Sequence, residues 1–155
     1  MDLCIDTQIL VLASTASGSE HLALLIEFQG CERLKIALDQ FVAQEYNKQM
    51  RADRFGQVWL LQMLKRNRVV YRERVKLDKP TSTALRDLHF SSDDLKFVLL
   101  TLATETKKLV SEDDDYSAGV KKILRNKHSM AIHSCAEARE FVKANLGDSS
   151  VSGCS

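Results

Sequence analysis

No part of this sequence looks fit to enter a membrane. The longest uncharged apolar run near the amino terminus, Ile9 to Ala13, is too short for a signal segment or a span, and no basic cluster precedes it. Cysteines number four (Cys4, Cys31, Cys135, Cys154), with no C-x-x-C pair and no histidine at zinc-finger spacing, which excludes the common structural zinc modules. Cys4 and Cys135 read as small hydrophobes, and the expected compartment is the reducing cytoplasm. His21, His89, His128 and His133 share no ligand spacing. There is one proline, no hairpin signal, no internal repeat, and no low-complexity segment before the Gly/Ser-rich end.

What remains is an ordinary globular composition, 45% apolar and 28% charged, in 155 residues, enough for one domain with a substantial core. The expected domain spans residues 1–146, with 147–155 as a frayed tail. A net charge of +1 hides an asymmetry. From Lys48 to Lys79, ten Lys/Arg face Asp53, Glu73 and Asp78, so this stretch carries +7 and the rest of the chain −6. Solvated faces account for most basic runs. An acidic site beside a basic flank also suits a polyanion held on one surface and cut at another.

Hydrophobic patterning predicts short strands at 2–6, 34–38, 68–75, 108–111 and 130–134. The third alternates Val69, Tyr71, Glu73 and Val75 with basic neighbours, as an edge strand does. Helices are expected over 20–31, with Ser17 or Ser19 as cap, and over 40–65 with a break near Gly56. Further helices are expected over 93–106, capped by Ser91 or Ser92, and over 116–125 and 136–146. Pro80 reads as the start of a turn. Strands separated by helices point to an α/β three-layer sandwich with a central, mainly parallel five-stranded sheet.

Four carboxylates stand where ionised groups are costly to bury. Asp6 closes the apolar Leu3-Cys4-Ile5, Glu45 shares a helical face with Phe41 and Val42, Asp94 opens a strongly apolar helix, and Asp113 follows Leu109-Val110. Each has an ordinary explanation. Asp6 suits a helix cap, Asp93 or Asp94 and the acidic run 112–115 complement helix dipoles, and Lys48 stands one turn from Glu45. Converging in one pocket, the four would call for a divalent cation.

In this order and on these elements, the acids resemble the motifs of PIN-domain nucleases. Ile5-Asp6-Thr7-Gln8 is similar to the opening strand motif, with Gln8 where Asn is usual. Glu45 resembles the inward glutamate of the second motif, and Asp94 before Lys96-Phe97-Val98 the third. Leu109-Val110-Ser111-Glu112-Asp113-Asp114-Asp115-Tyr116 is similar to the fourth, with Ser111 for Thr and Tyr116 for Phe. The likeness covers roughly residues 2–145, and the doubled and tripled acids leave Asp93 against Asp94, and Asp113 against Asp115, open.

The resemblance implies a metal-dependent endoribonuclease holding Mg²⁺ or Mn²⁺ at Asp6 and Asp113, with Glu45 and Asp94 direct or through water. Thr7 and Ser111 would orient the ligands. It implies that the first and fourth strands lie side by side. RNA phosphates are expected on Arg51, Arg54, Lys65, Arg66, Arg68, Arg72 and Arg74, and Tyr71 is weighed between base stacking and strand packing. Small free-standing members are most often toxins of toxin–antitoxin pairs, which adds a homodimer and a cognate antitoxin as expected partners. The alternatives are a catalytically inactive PIN-like scaffold and a structure-specific DNA nuclease. A phosphotransferase using Asp6 as nucleophile would want an acid at position 8, where Gln stands.

Overall fold

A computed structural model describes residues 1–15, 19–50 and 54–149 of the chain. Ser17, Arg51, Asp53 and residues 150–155 lie outside the described residues. The elements run β1 (Asp2–Ile5), α1 (Thr7–Leu12), α2 (Ser19–Gln29), β2 (Lys35–Leu38), α3 (Gln40–Gln49), α4 (Phe55–Lys65), β3 (Val69–Tyr71), α5 (Lys79–Asp87), α6 (Leu95–Thr101), β4 (Lys108–Val110), α7 (Ala118–His128), β5 (Ala131–His133) and α8 (Cys135–Ser149). The strands form one sheet in the order β3-β2-β1-β4-β5, and all four pairings are parallel. Helices flank it as a three-layer α/β sandwich. No helix among the described residues is long and apolar enough to cross a membrane.

β1 lies at the centre and every one of its residues is buried, as both faces of a covered parallel sheet require. From it the chain winds outward through β2 and β3, then returns to pair β4 against the other side of β1. The β1/β4 seam is therefore the switch point, where open α/β sheets leave a crevice beyond the strand carboxyl ends. α6 packs across β1, β2 and β4, α2 pairs with α8, and α5 with α7.

Several elements depart from expectation. α1 is a helix over residues for which the patterning predicts no element. Pro80 opens no free turn: it occupies the first turn of α5, where a missing N–H costs nothing, and Asp78 caps the helix through Thr81 N. β3 ends at Tyr71 instead of residue 75, although it is indeed an edge strand. α6 is confined to Leu95–Thr101, and the Ser91 hydroxyl accepts only from Asp93 N. The long helix does divide near Gly56, into α3 and α4, whereas α8 runs past Leu146 to Ser149.

Gly56 lies in the first turn of α4, where the absence of a side chain has a steric reason. A Cβ on Gly56 would lie 2.6 Å from the backbone oxygen of Leu10, so α4 meets α1 there only without a side chain. Gly56→Ala is expected to cost about 2 kcal/mol despite alanine's better helix propensity. Urea denaturation measures it, and a neutral or stabilising result would mean the α1–α4 contact yields freely.

Arg68 corrects the expected phosphate contacts. Its residue is 5% exposed, and its guanidinium donates to the carbonyls of Phe28 (2.9 Å), Gln29 (3.1 Å), Cys31 (2.6 Å) and Leu34 (2.7 Å). These are the last carbonyls of α2 and of the loop leaving it, which lack helical partners. Arg68 is a helix terminator built from the neighbouring strand.

Candidate metal centre

Beyond the carboxyl ends of β1 and β4 lies a cavity of about 300 Å³ whose wall includes Asp6, Thr7, Glu45, Asp93, Asp94 and Asp113. Asp6, Asp94 and Asp113 each turn one carboxylate oxygen so that the three lie within 4.8 Å of one another, close enough to hold a metal ion. Two roomier hollows, about 910 and 860 Å³, open at the amino ends of β2 and β3 and along the edge strand β5, neither at the β1/β4 switch point.

Asp6 holds the N-cap position of α1 in extended backbone, yet its side chain makes no capping hydrogen bond. Asp39, Asp78 and Ser117 occupy the same position on α3, α5 and α7, and all three cap with their side chains. The Asp6 carboxylate instead turns to the cavity and accepts from the Ser111 hydroxyl at 2.6 Å. Ser111 Oγ in turn accepts from the backbone N–H of Asp113 at 3.2 Å, so one hydroxyl ties both strand ends together. Tyr46, fully buried on α3, donates from its hydroxyl to the carbonyl of Ile5 and pins the end of β1.

Asp94 likewise begins α6 without capping it. Its backbone carbonyl accepts from Tyr116 Oη at 3.4 Å, and its side chain shares a hydrogen bond with Asp115. Asp115 therefore stands behind the triplet, and its own N–H donates to Asp113 at 2.9 Å. Asp93 is exposed on the cavity wall. Glu45 is on that wall too, but outside the triplet, and pairs with Lys96 at 3.2 Å.

Crowding of like charges in a partly dry pocket has the expected effect on protonation. Burial raises the Asp6 pKa, with the Ser111 hydrogen bond and the amides of Gln8 and Thr7 offsetting part of it and the Asp113 charge adding to it. Asp94 is pushed up to about 8, first by burial, then by its bond to Asp115 and the charges of Asp113, Asp6 and Asp115. The Tyr116 phenol, buried among the same anions, is held firmly protonated.

A folded-state pKa above the unfolded value means folding takes up a proton. The stabilisation from Asp94 is complete below the unfolded value near 3.8, fades as pH rises, and is gone above about 8. In EDTA, stability should fall between pH 5.5 and 8 by on the order of 1–2 kcal/mol from this group, after allowing for screening of a half-exposed side chain. Asp94→Asn should flatten that part of a melting-temperature profile. An unchanged slope in the variant would remove Asp94 as its source.

The Thr7 hydroxyl is buried, on the same wall, and has no hydrogen-bond partner. It is a buried polar group without a protein partner in a residue that lines the cavity of the three carboxylates. The set offers only oxygen donors, which fits a hard divalent cation.

Among the described residues, none of the expected phosphate-binding arginines lines this cavity. Arg66 stands at the amino-end hollow, Arg68 is consumed within the fold, and Arg54 precedes α4. Arg72 is committed to Asp2 at 2.9 and 3.1 Å and to Glu105 at 3.5 Å. Arg51 lies outside the described residues. Tyr71 is 66% exposed, so strand packing does not account for it. Two residues of the site carry no sequence signal of their own. Lys96 meets Glu45 across 51 positions, and Tyr46 shows only as an inward position one turn after Val42.

The sequence matches no protein-family model and no characterised protein.

Proposed function

We propose that this protein is a PIN-like, metal-dependent endoribonuclease. One observation carries the reading: Asp6, Asp94 and Asp113, remote in sequence, present oxygens within 4.8 Å of one another beside the unpartnered Thr7 hydroxyl. Support comes also from the switch-point position, from acids that decline their capping roles, and from the motif resemblance.

Asp6, Asp94 and Asp113 would hold Mg²⁺ or Mn²⁺, with Glu45 beside them. Such an ion lowers the pKa of bound water and offsets charge on a phosphoryl group in transition. The chain's own residues do the rest. Ser111 fixes the Asp6 carboxylate and the start of the 111–115 loop together. Tyr46 holds the strand end on which Asp6 rides. Thr7 donates its hydroxyl to a phosphate oxygen of the substrate or to the attacking water. Lys96 holds the Glu45 carboxylate in place on the cavity wall.

The test is incubation of end-labelled RNA with the purified chain in Mg²⁺, in Mn²⁺ and in EDTA, with a deoxy analogue of equal length alongside. Cleavage in either metal and none in EDTA is the expected outcome. Intact RNA under all three conditions defeats the proposal, and preferential cutting of the deoxy strand moves it to DNA. For the setting, we carry over the toxin of a toxin–antitoxin pair, acting in the cytoplasm as a homodimer restrained by a cognate antitoxin. Induced expression of the wild type should arrest a host that tolerates Asp94→Asn. Equal growth of the two would discard the toxin and leave the nuclease.

A further inference from the structure

Next to the acidic cavity, sharing Glu45 as a common wall, is a second hollow of about 390 Å³ with an opposite character. Lys48, Arg74 and Lys96 line it, while Phe41 and Leu99 give it an apolar floor. Phe41 is 41% exposed, and the Arg74 guanidinium lies 3.8 Å from its ring centroid. Arg74 is steadied from behind by Asp39 at 3.5 Å and Lys96 by Glu45 at 3.2 Å. Lys48, exposed on α3, has no acidic partner among the described residues.

We infer that this hollow is the subsite for the nucleotide adjacent to the scissile phosphate, and that it takes that nucleotide only from a single strand. The inference rests on the nuclease reading and adds to it which substrate form is accepted. Three carboxylates repel a polyanion, so the strand needs a cationic foothold immediately alongside. Lys48 and Lys96 supply it at one rim. The Phe41–Arg74 stack offers a platform of the kind on which an unpaired base lies, whereas a base inside a duplex keeps its faces against its neighbours. The basic residues that matter are thus Lys48 near the end of α3, Lys96 on α6 and, from the arginine-rich run around β3, Arg74.

Binding can be read without cleavage. With EDTA present, fluorescence anisotropy of a labelled single-stranded RNA of mixed sequence is followed across a salt series. Phe41→Ala should weaken binding roughly tenfold with the salt dependence unchanged, the mark of a lost stacking contact. Lys48→Ala should weaken it and reduce the slope of log affinity against log salt by about 0.7, the mark of one lost phosphate contact on a single strand. A duplex of the same sequence should bind more weakly, and Lys121→Ala, at the hollow along β5, should change nothing. Wild-type affinity in both Phe41→Ala and Lys48→Ala overturns the subsite even if RNA is cut. The expected losses in a protein that cuts nothing retain the subsite and defeat only the hydrolytic reading.

Discussion

Asp6→Asn should lower metal-dependent RNA cleavage by about a hundredfold to a thousandfold, a loss of roughly 3–4 kcal/mol of transition-state stabilisation. Asparagine keeps the shape of the side chain and can still meet the Ser111 hydroxyl, so the strand end stays in place. What disappears is one of three charges that must jointly offset a divalent cation. Without metal the same change should leave the protein at least as stable as wild type, because burial and the neighbouring Asp113 already penalise the Asp6 charge. The paired readout separates a ligand from a scaffold residue. A variant that loses activity and stability together in EDTA would show Asp6 holding the fold, and a variant retaining full activity would end the metal-centre proposal. Thr7→Val is a milder companion: by removing a hydroxyl with no protein partner it should spare stability and reduce turnover by roughly tenfold.

Arg68→Met is the second large effect, and it concerns the fold alone. Methionine restores much of the volume but leaves the carbonyls of Gln29 and Leu34 without their donor, while Phe28 and Cys31 fall back on the backbone N–H groups of Cys31 and Leu34. Each buried acceptor so stranded costs about 1–3 kcal/mol, less where water reaches it, and a total of about 3–5 kcal/mol is expected. In a chain of this length that corresponds to roughly 6–20 °C of melting temperature. Arg66→Met, two residues away and exposed, should shift it by less than about 0.5 kcal/mol. If the two variants melt alike, the guanidinium contributes no more than any surface cation.

These two residues mark where the sequence was legible and where it was not. Asp6 is readable only in company: alone it suits a helix cap, but an acid closing the apolar Leu3-Cys4-Ile5 is repeated by Asp113 after Leu109-Val110. The strands and the sandwich follow from the same short buried runs. Choosing Asp94 over Asp93, or setting Glu45 outside the triplet, depends on rotation about a helix and on Lys96, far away in the chain. Arg68 had no such signal: a cation in a basic run looks the same whether it meets phosphate or the open end of a helix. α1 and α5 were missed for local reasons. Ile9 to Ala13 is too uniformly apolar to show a period, and a proline in the first turn of a helix resembles one in a loop.

The position of β1 in the sheet also bears on biosynthesis. The strand made first is the one that must be flanked on both sides, and its second neighbour, β4, emerges from the ribosome only after Lys108. Until then a nascent chain can assemble β1, β2 and β3 while one edge of the middle strand waits for its pairing partner. Asp113 comes later still. A chain cut short before that point therefore holds at most two of the three carboxylates that converge beyond β1 and β4.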